Sequence, residues 1–162
     1  MFAIRYVALA ALVVWLGGMV VLGPVVAPSV FRVLQAHDPS AGRVLAGKVF
    51  GDILQQFSLL GYGCGAIIIL CLFIMKFMGP PPRAFALRAA IVALMLALAV
   101  YAGVPVSREI AQLQSQVSGP MSRLPATDAR RVRFERLHAT STGLMTINMA
   151  LGLILLFWYV RE

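Results

Sequence analysis

Residues 6–31, 53–75, 89–107 and 137–160 contain no aspartate, glutamate, lysine or arginine. No other feature of the chain constrains its fold so tightly. A bilayer core about 30 Å thick is crossed by about 20 helical residues, and each run is of that order. Inside hydrocarbon the backbone must satisfy its own N–H and C=O groups, which leaves helices and closed barrels. None of the four runs alternates strictly with a period of two, so the runs are read as helices. The expected fold is an all-α integral membrane protein, a four-transmembrane-helix bundle. Composition agrees. Of 162 residues, 60% are hydrophobic and 12% charged, and the mean hydropathy is +0.88. A soluble domain is about half apolar and a quarter charged.

The spans are placed at about 6–31, 49–75, 85–106 and 137–160, in one transmembrane domain covering 1–162. The first run far exceeds the apolar stretch of a signal peptide, about 7–15 residues. It follows one positive charge, Arg5, and ends without a clear small-x-small site, so it is expected to stay as a mature helix. The formal net charge of +8 would suggest nucleic acid on a soluble chain. Here the cations flank the spans, where headgroups meet them, and no nucleic-acid partner is expected. Cys64 and Cys71 lie two turns apart on one helix. That rise of about 10 Å is too long for a disulfide, so buried thiols are expected.

Glycine and proline punctuate the runs. Gly17, Gly18, Gly23, Pro24 and Pro28 predict a kinked or broken second half of helix 1. Asp38-Pro39 marks a turn before helix 2, which starts near Leu45 and stops before "GPPPR", residues 79–83. In "VPVSREIAQLQSQV" the apolar residues Val106, Ile110, Leu113 and Val117 recur at helical spacing. Gly119-Pro120 ends that segment, and Thr127 can cap a new helix with Asp128 in its first turn. Helices 3 and 4 are therefore expected to extend into a protruding helical hairpin, about 107–136.

Two spans carry polar stripes. Advancing about 100° per residue from His138 gathers Ser141, Thr142, Met145, Asn148, Met149 and Gly152 within about 120°. Leu144, Ile147, Leu151, Ile154 and Phe157 fall outside that arc. On helix 2, Asp52, Gln55, Gln56, Leu59, Tyr62, Gly63 and Ala66 share one side, and the cysteines lie off it. Polar residues in a span usually face the bundle interior. Helix 2 is thus expected to pack on helix 4, with Asp52, Gln55 and Gln56 near His138, Ser141 and Thr142 at one membrane edge, and with Asp52 coupled to His138.

Such a cluster suits three kinds of chemistry. Its members can satisfy one another and fix helix register. Asp52 and His138 can exchange protons where water reaches them, since histidine titrates near neutrality. Asp52, His138 and a methionine from Met145 or Met149 can hold a soft or borderline metal ion, although no CxxC or HxxxH spacing accompanies them. Haem usually needs two axial side chains, and His37 is placed in a loop, so no cofactor is expected. Nothing resembles a nucleophilic triad. "GYGCG" places Gly61 and Gly65 four apart, which lets helices approach closely inside a bundle or between protomers. A homodimer or trimer, or assembly with another membrane protein, is expected from that surface. Lysine and arginine divide unequally between the two faces, five against nine of the chain's 14. The richer face carries the hairpin and is expected to be cytoplasmic, in the inner membrane.

"APSVF", "AGKVF" and "RFERLHATS" resemble the transmembrane-protein-205-like family, whose bacterial members are labelled a domain of unknown function. The resemblance spans nearly the whole chain and maps onto Pro28, Phe31, Gly47, Phe50, Phe134, His138 and Ser141. It implies a four-helix membrane protein and no settled activity. Where the family pattern implies an asparagine about two turns after the histidine, this chain has Met145, with Asn148 deeper on the same stripe. The leading functional expectation is a non-enzymatic bundle whose polar cluster supports structure or self-association. The alternative is a transporter or channel for a proton, metal ion or small solute. A redox or lipid-modifying membrane enzyme is a third.

Overall fold

The computed structural model describes residues 2–39, 41–78, 84–117 and 119–161. Among these the regular structure is entirely helical. The helices are α1 (Phe2–Val21), α2 (Ala27–His37), α3 (Gly42–Met78), α4 (Phe85–Tyr101), α5 (Ser107–Ser115) and α6 (Ala129–Val160), with a short 3₁₀ turn at Met121–Arg123. The proline-rich connection expected at 79–83 lies outside the described residues.

Two π-helical segments, Leu22–Val26 and Ala102–Val106, join α1 to α2 and α4 to α5 without breaking the rods. Each contains a glycine and a proline, Gly23-Pro24 in the first and Gly103 with Pro105 two residues on in the second. Proline lacks an N–H and crowds the preceding turn, and a wider turn accommodates both defects. The kink expected in helix 1 is therefore a π segment. Helix 3 runs through Pro105 to Ser115, in line with its expected extension into the hairpin. Four rods result, Phe2–His37, Gly42–Met78, Phe85–Ser115 and Ala129–Val160, each long and apolar enough to cross a bilayer.

All four rods outrun the hydrocarbon at the same end. Residues 32–37, 42–52, 108–115 and 129–136 continue past the charge-free runs by about 9–16 Å at 1.5 Å per residue. At the opposite end the excess is about 5 Å, over residues 2–5, 76–78 and 85–88. Helices 3 and 4 were expected to protrude; helices 1 and 2 protrude with them, so the hairpin is half of a four-helix cap. Ala46, Val106, Leu113 and Met121 are buried in this region. Arg133 pairs with Glu109 across the hairpin.

Asp128, rather than Thr127, caps α6: its Oδ1 accepts from the Arg130 backbone N–H at 2.8 Å, and its Oδ2 meets the Arg130 guanidinium at 2.8 Å. These bonds hold the Asp128 carboxyl down at about 2. A depressed carboxyl contributes fully above its unfolded value, and the contribution is lost as pH falls through the folded one. Amide protection of the first turn of α6 is thus expected to drop between about pH 4 and pH 2. Asp128→Ala should abolish that response; a persistent response in hydrogen exchange would assign it to another group.

Within the membrane α1 packs on α3 and α6, and α4 packs on α3 and α6. This closes a ring in which α3 and α6 are diagonal. The expected packing of helix 2 on helix 4 is therefore replaced by two interfaces each with helices 1 and 3. The buried face of α3 is also not the polar one. Gly61, Cys64, Gly65, Ile68, Cys71, Leu72 and Met75 turn inward, while Asp52, Gln55 and Gln56 are exposed. The reason is depth. The polar residues of α3 sit at or beyond the membrane edge, where water and headgroups solvate them. At hydrocarbon depth, burial in protein gains little over lipid, so close approach decides the interface. Gly61 receives Trp15 of α1, and Gly65 receives Leu96 of α4. The glycine pair closes the bundle of one chain. Both cysteines are free and buried.

Candidate functional site

Asn148 is the one buried polar residue in the middle of α6, 4% exposed. Its Nδ2 donates to the Met95 carbonyl of α4 at 3.1 Å. Its Oδ1 is buried and has no hydrogen-bond partner among the described residues. By helical rise it lies about 18 Å from the C-terminal end of α6, well inside hydrocarbon depth.

The residue lines a cavity of about 60 Å³ enclosed by all four rods, with Trp15, Ser58, Gly61, Gly103 and Ser141 around it. The sequence places each group for a physical reason. Gly61 admits the indole of Trp15; a Cβ there would come within 2.8 Å of Trp15 Nε1. Gly103, in the π segment, admits Ser58 and Tyr62; a Cβ there would lie 3.0 Å from Ser58 Oγ. The Tyr62 hydroxyl donates to the Ala99 carbonyl at 3.3 Å, and Ser107 Oγ donates to the Ala102 carbonyl at 2.9 Å. These bonds add a second donor to carbonyls of the irregular turn that also accept backbone N–H groups. Ser58 Oγ donates back to the Leu54 carbonyl at 2.8 Å.

The seven polar residues singled out from the sequence do not come together. Ser141 and Asn148 reach the cavity. Thr142 is exposed and donates to the His138 carbonyl at 3.0 Å. His138 is exposed and stacks on Phe134, ring centroids 6.2 Å apart. Asp52 accepts from Gln56 Nε2 at 3.2 Å on the outer side of α3, and Gln55 is exposed beside it. No hydrogen bond or ion pair joins Asp52 to His138 among the described residues. Single Asp52→Ala and His138→Ala changes are accordingly expected to add within about 0.5 kcal/mol in a thermal-stability assay. A coupling above 1 kcal/mol would show that they meet. No group of three histidine, cysteine, aspartate or glutamate side chains is arranged to hold a metal among the described residues.

Three features were not drawn from the sequence. Trp15 is 2% exposed and central to the core, where an aromatic in an apolar run reads as packing or an interfacial anchor. Arg88, assigned to a flank, is 3% exposed, its guanidinium 5.2 Å from the Tyr159 ring centroid. The π segments leave a signal, a glycine and a proline within three residues in the second half of helices 1 and 3.

The model of a family described as a domain of unknown function (DUF4149) matches residues 10–118. The chain belongs to that family. The DUF4149 match carries most of α1 through α5, with Trp15, Ser58, Gly61 and Gly103, and stops before α6. "APSVF" and "AGKVF" fall inside it, whereas "RFERLHATS", Ser141 and Asn148 fall beyond it. Neither the curated proteins nor the solved structures contain a match to the chain.

Proposed function

We propose that this multi-pass membrane protein is a non-enzymatic scaffold: a closed four-helix bundle that holds a basic helical cap at the membrane surface as its contact end. The observation that carries this reading is a set of cations, one per rod, at the base of the cap. Arg32, Arg108 and Arg136 stand just beyond the charge-free runs and Lys48 one turn past Asp52, and none makes an ion pair among the described residues. Such a ring suits anionic headgroups, each cation near the surface contributing about 1 kcal/mol. The excess of cations on that face supports a cytoplasmic cap on an inner-membrane protein. Membership of the transmembrane-protein-205-like group is part of the same proposal, supported by the three short motifs.

Packing favours a scaffold over a channel. Between the cavity and the far face the rods meet in Leu12, Ile68, Leu72, Val92 and Leu155, all nearly or fully buried. An ion crossing that layer would lose its hydration without replacement. Self-association belongs to the scaffold reading, through faces other than Gly61 and Gly65. The test is photo-crosslinking in intact membranes, with the reactive residue at Arg43 or Arg123 in the cap and at lipid-facing Leu70 as control. Discrete adducts from the cap positions alone are expected, at twice the chain mass where the partner is a second copy. No adduct from the cap, together with proton or cation flux through the purified protein in vesicles, would overturn the reading.

A further inference from the structure

We infer that the cavity at Asn148 is a hydrated half-channel: a binding site for water-sized, uncharged solutes, opening toward the cap and ending at the bundle's middle. The inference does not depend on the scaffold reading. It starts from an unmet need. Asn148 Oδ1 is an acceptor, buried, facing the cavity and without a partner among the described residues. A buried acceptor left unpaired is costly, so the site calls for a donor. Two further groups at the same cavity make no hydrogen bond among the described residues, the Trp15 indole N–H and the Ser141 hydroxyl. A donor, an acceptor and a group that is both thus line one space.

Size and charge select the occupant. A cavity of about 150 Å³ is needed for a benzene ring, and one water takes about 30 Å³ of liquid. The cavity here, about 60 Å³, excludes a ring and accommodates a few waters or a solute of similar size. No acidic or basic side chain lines it. An ion would lose its hydration and find one amide oxygen and a few hydroxyls in exchange, which is prohibitive. A neutral molecule that both donates and accepts matches the three free groups.

Direction follows from the stagger of the lining. Trp15, Gly61 and Asn148 are buried at the deep end, while Leu54, Ser107 and Ser141, nearer the cap, are partly exposed. Below Asn148 the apolar layer closes the path. Both π segments lie at the cap end of their rods, and one of them, through Gly103, forms part of the wall. Gly23 of the other faces Met145, whose side chain also lines the cavity.

Asn148 is the chain's single asparagine, so asparagine-selective ¹⁵N labelling yields one side-chain amide signal. In lipid nanodiscs transferred to D₂O, that amide and the Trp15 indole N–H are expected to exchange within minutes and to show magnetisation transfer from water. Ser141→Leu, which fills the mouth, should slow both at least tenfold while backbone shifts of α1 and α3 stay in place. Leu54→Phe, across the same mouth, serves where the Ser141 variant does not fold. An Asn148 amide that survives in D₂O for a day in the unmodified protein would overturn the inference. So would exchange that neither mouth variant slows.

Discussion

Gly61→Leu is expected to unfold the bundle or force its helices apart at the α1–α3 interface. The reason lies in what faces the glycine. A Cβ at 61 would sit 2.8 Å from Trp15 Nε1 and 3.3 Å from two further indole atoms. The indole is rigid and 2% exposed in the core, and the free space beside it is the small cavity at Asn148, so a leucine at 61 has to drive the whole ring into that space. Overpacking a filled core by a few atoms costs about 1–3 kcal/mol, which sets the expectation for Gly61→Ala; the leucine adds three more carbons. Gly65 should respond more mildly, because the atoms it meets are the flexible end of Leu96. Trp15→Val alone should cost about 3–5 kcal/mol through the cavity it leaves. Combined with Gly61→Leu it should cost clearly less than the two changes summed, since each relieves the other. Thermal unfolding in a mild detergent reads each of these variants. An unchanged midpoint for Gly61→Leu would mean that α1 and α3 do not meet at this point.

That contact also shows where sequence reasoning reaches and where it stops. The four spans were legible because exclusion of charge from hydrocarbon acts on every residue of a run. Their neighbours were not, because lipid and protein interior are nearly equally apolar, so a hydrophobic face does not say which helix covers it. The polar stripe of α3 illustrates the failure. Asp52, Gln55 and Gln56 satisfy the rule that polar residues turn inward, yet they occupy the first half of a helix that starts well outside the membrane. Depth, not face, explains them, and depth became visible only when Gly42 was seen to start the helix. On α6 the same rule held: Ser141 and Asn148 lie at hydrocarbon depth and do reach the interior. Thr142, at the edge of that arc, and His138, at the membrane-edge end of the stripe, remain outside. The cavity itself could not have been read, because it needs residues from four rods whose order around the ring no periodicity encodes.

Asn148→Asp is expected to destabilise the bundle by about 3 kcal/mol or more at neutral pH, and Asn148→Leu by only about 1 kcal/mol. Both changes remove the Nδ2 bond to the Met95 carbonyl, an interaction worth about 0.6–1.7 kcal/mol between membrane helices. They differ in what they leave behind. Leucine also removes the orphan oxygen, which cancels part of the loss. Aspartate keeps two oxygens, aims one at the Met95 carbonyl, and adds a charge that no lining residue of the cavity can pair. An unpaired charge in a buried site costs about 3–5 kcal/mol. Acidification neutralises a carboxyl, and the protonated form can donate to the Met95 carbonyl as the amide does. The unfolding midpoint of the Asn148→Asp variant should therefore rise as pH is lowered from 8 toward 5, while that of Asn148→Leu stays parallel to the unmodified protein. Equal midpoints for the aspartate and leucine variants at pH 8 would place residue 148 in contact with bulk solvent or headgroups, and with it the α4–α6 interface would have to be redrawn.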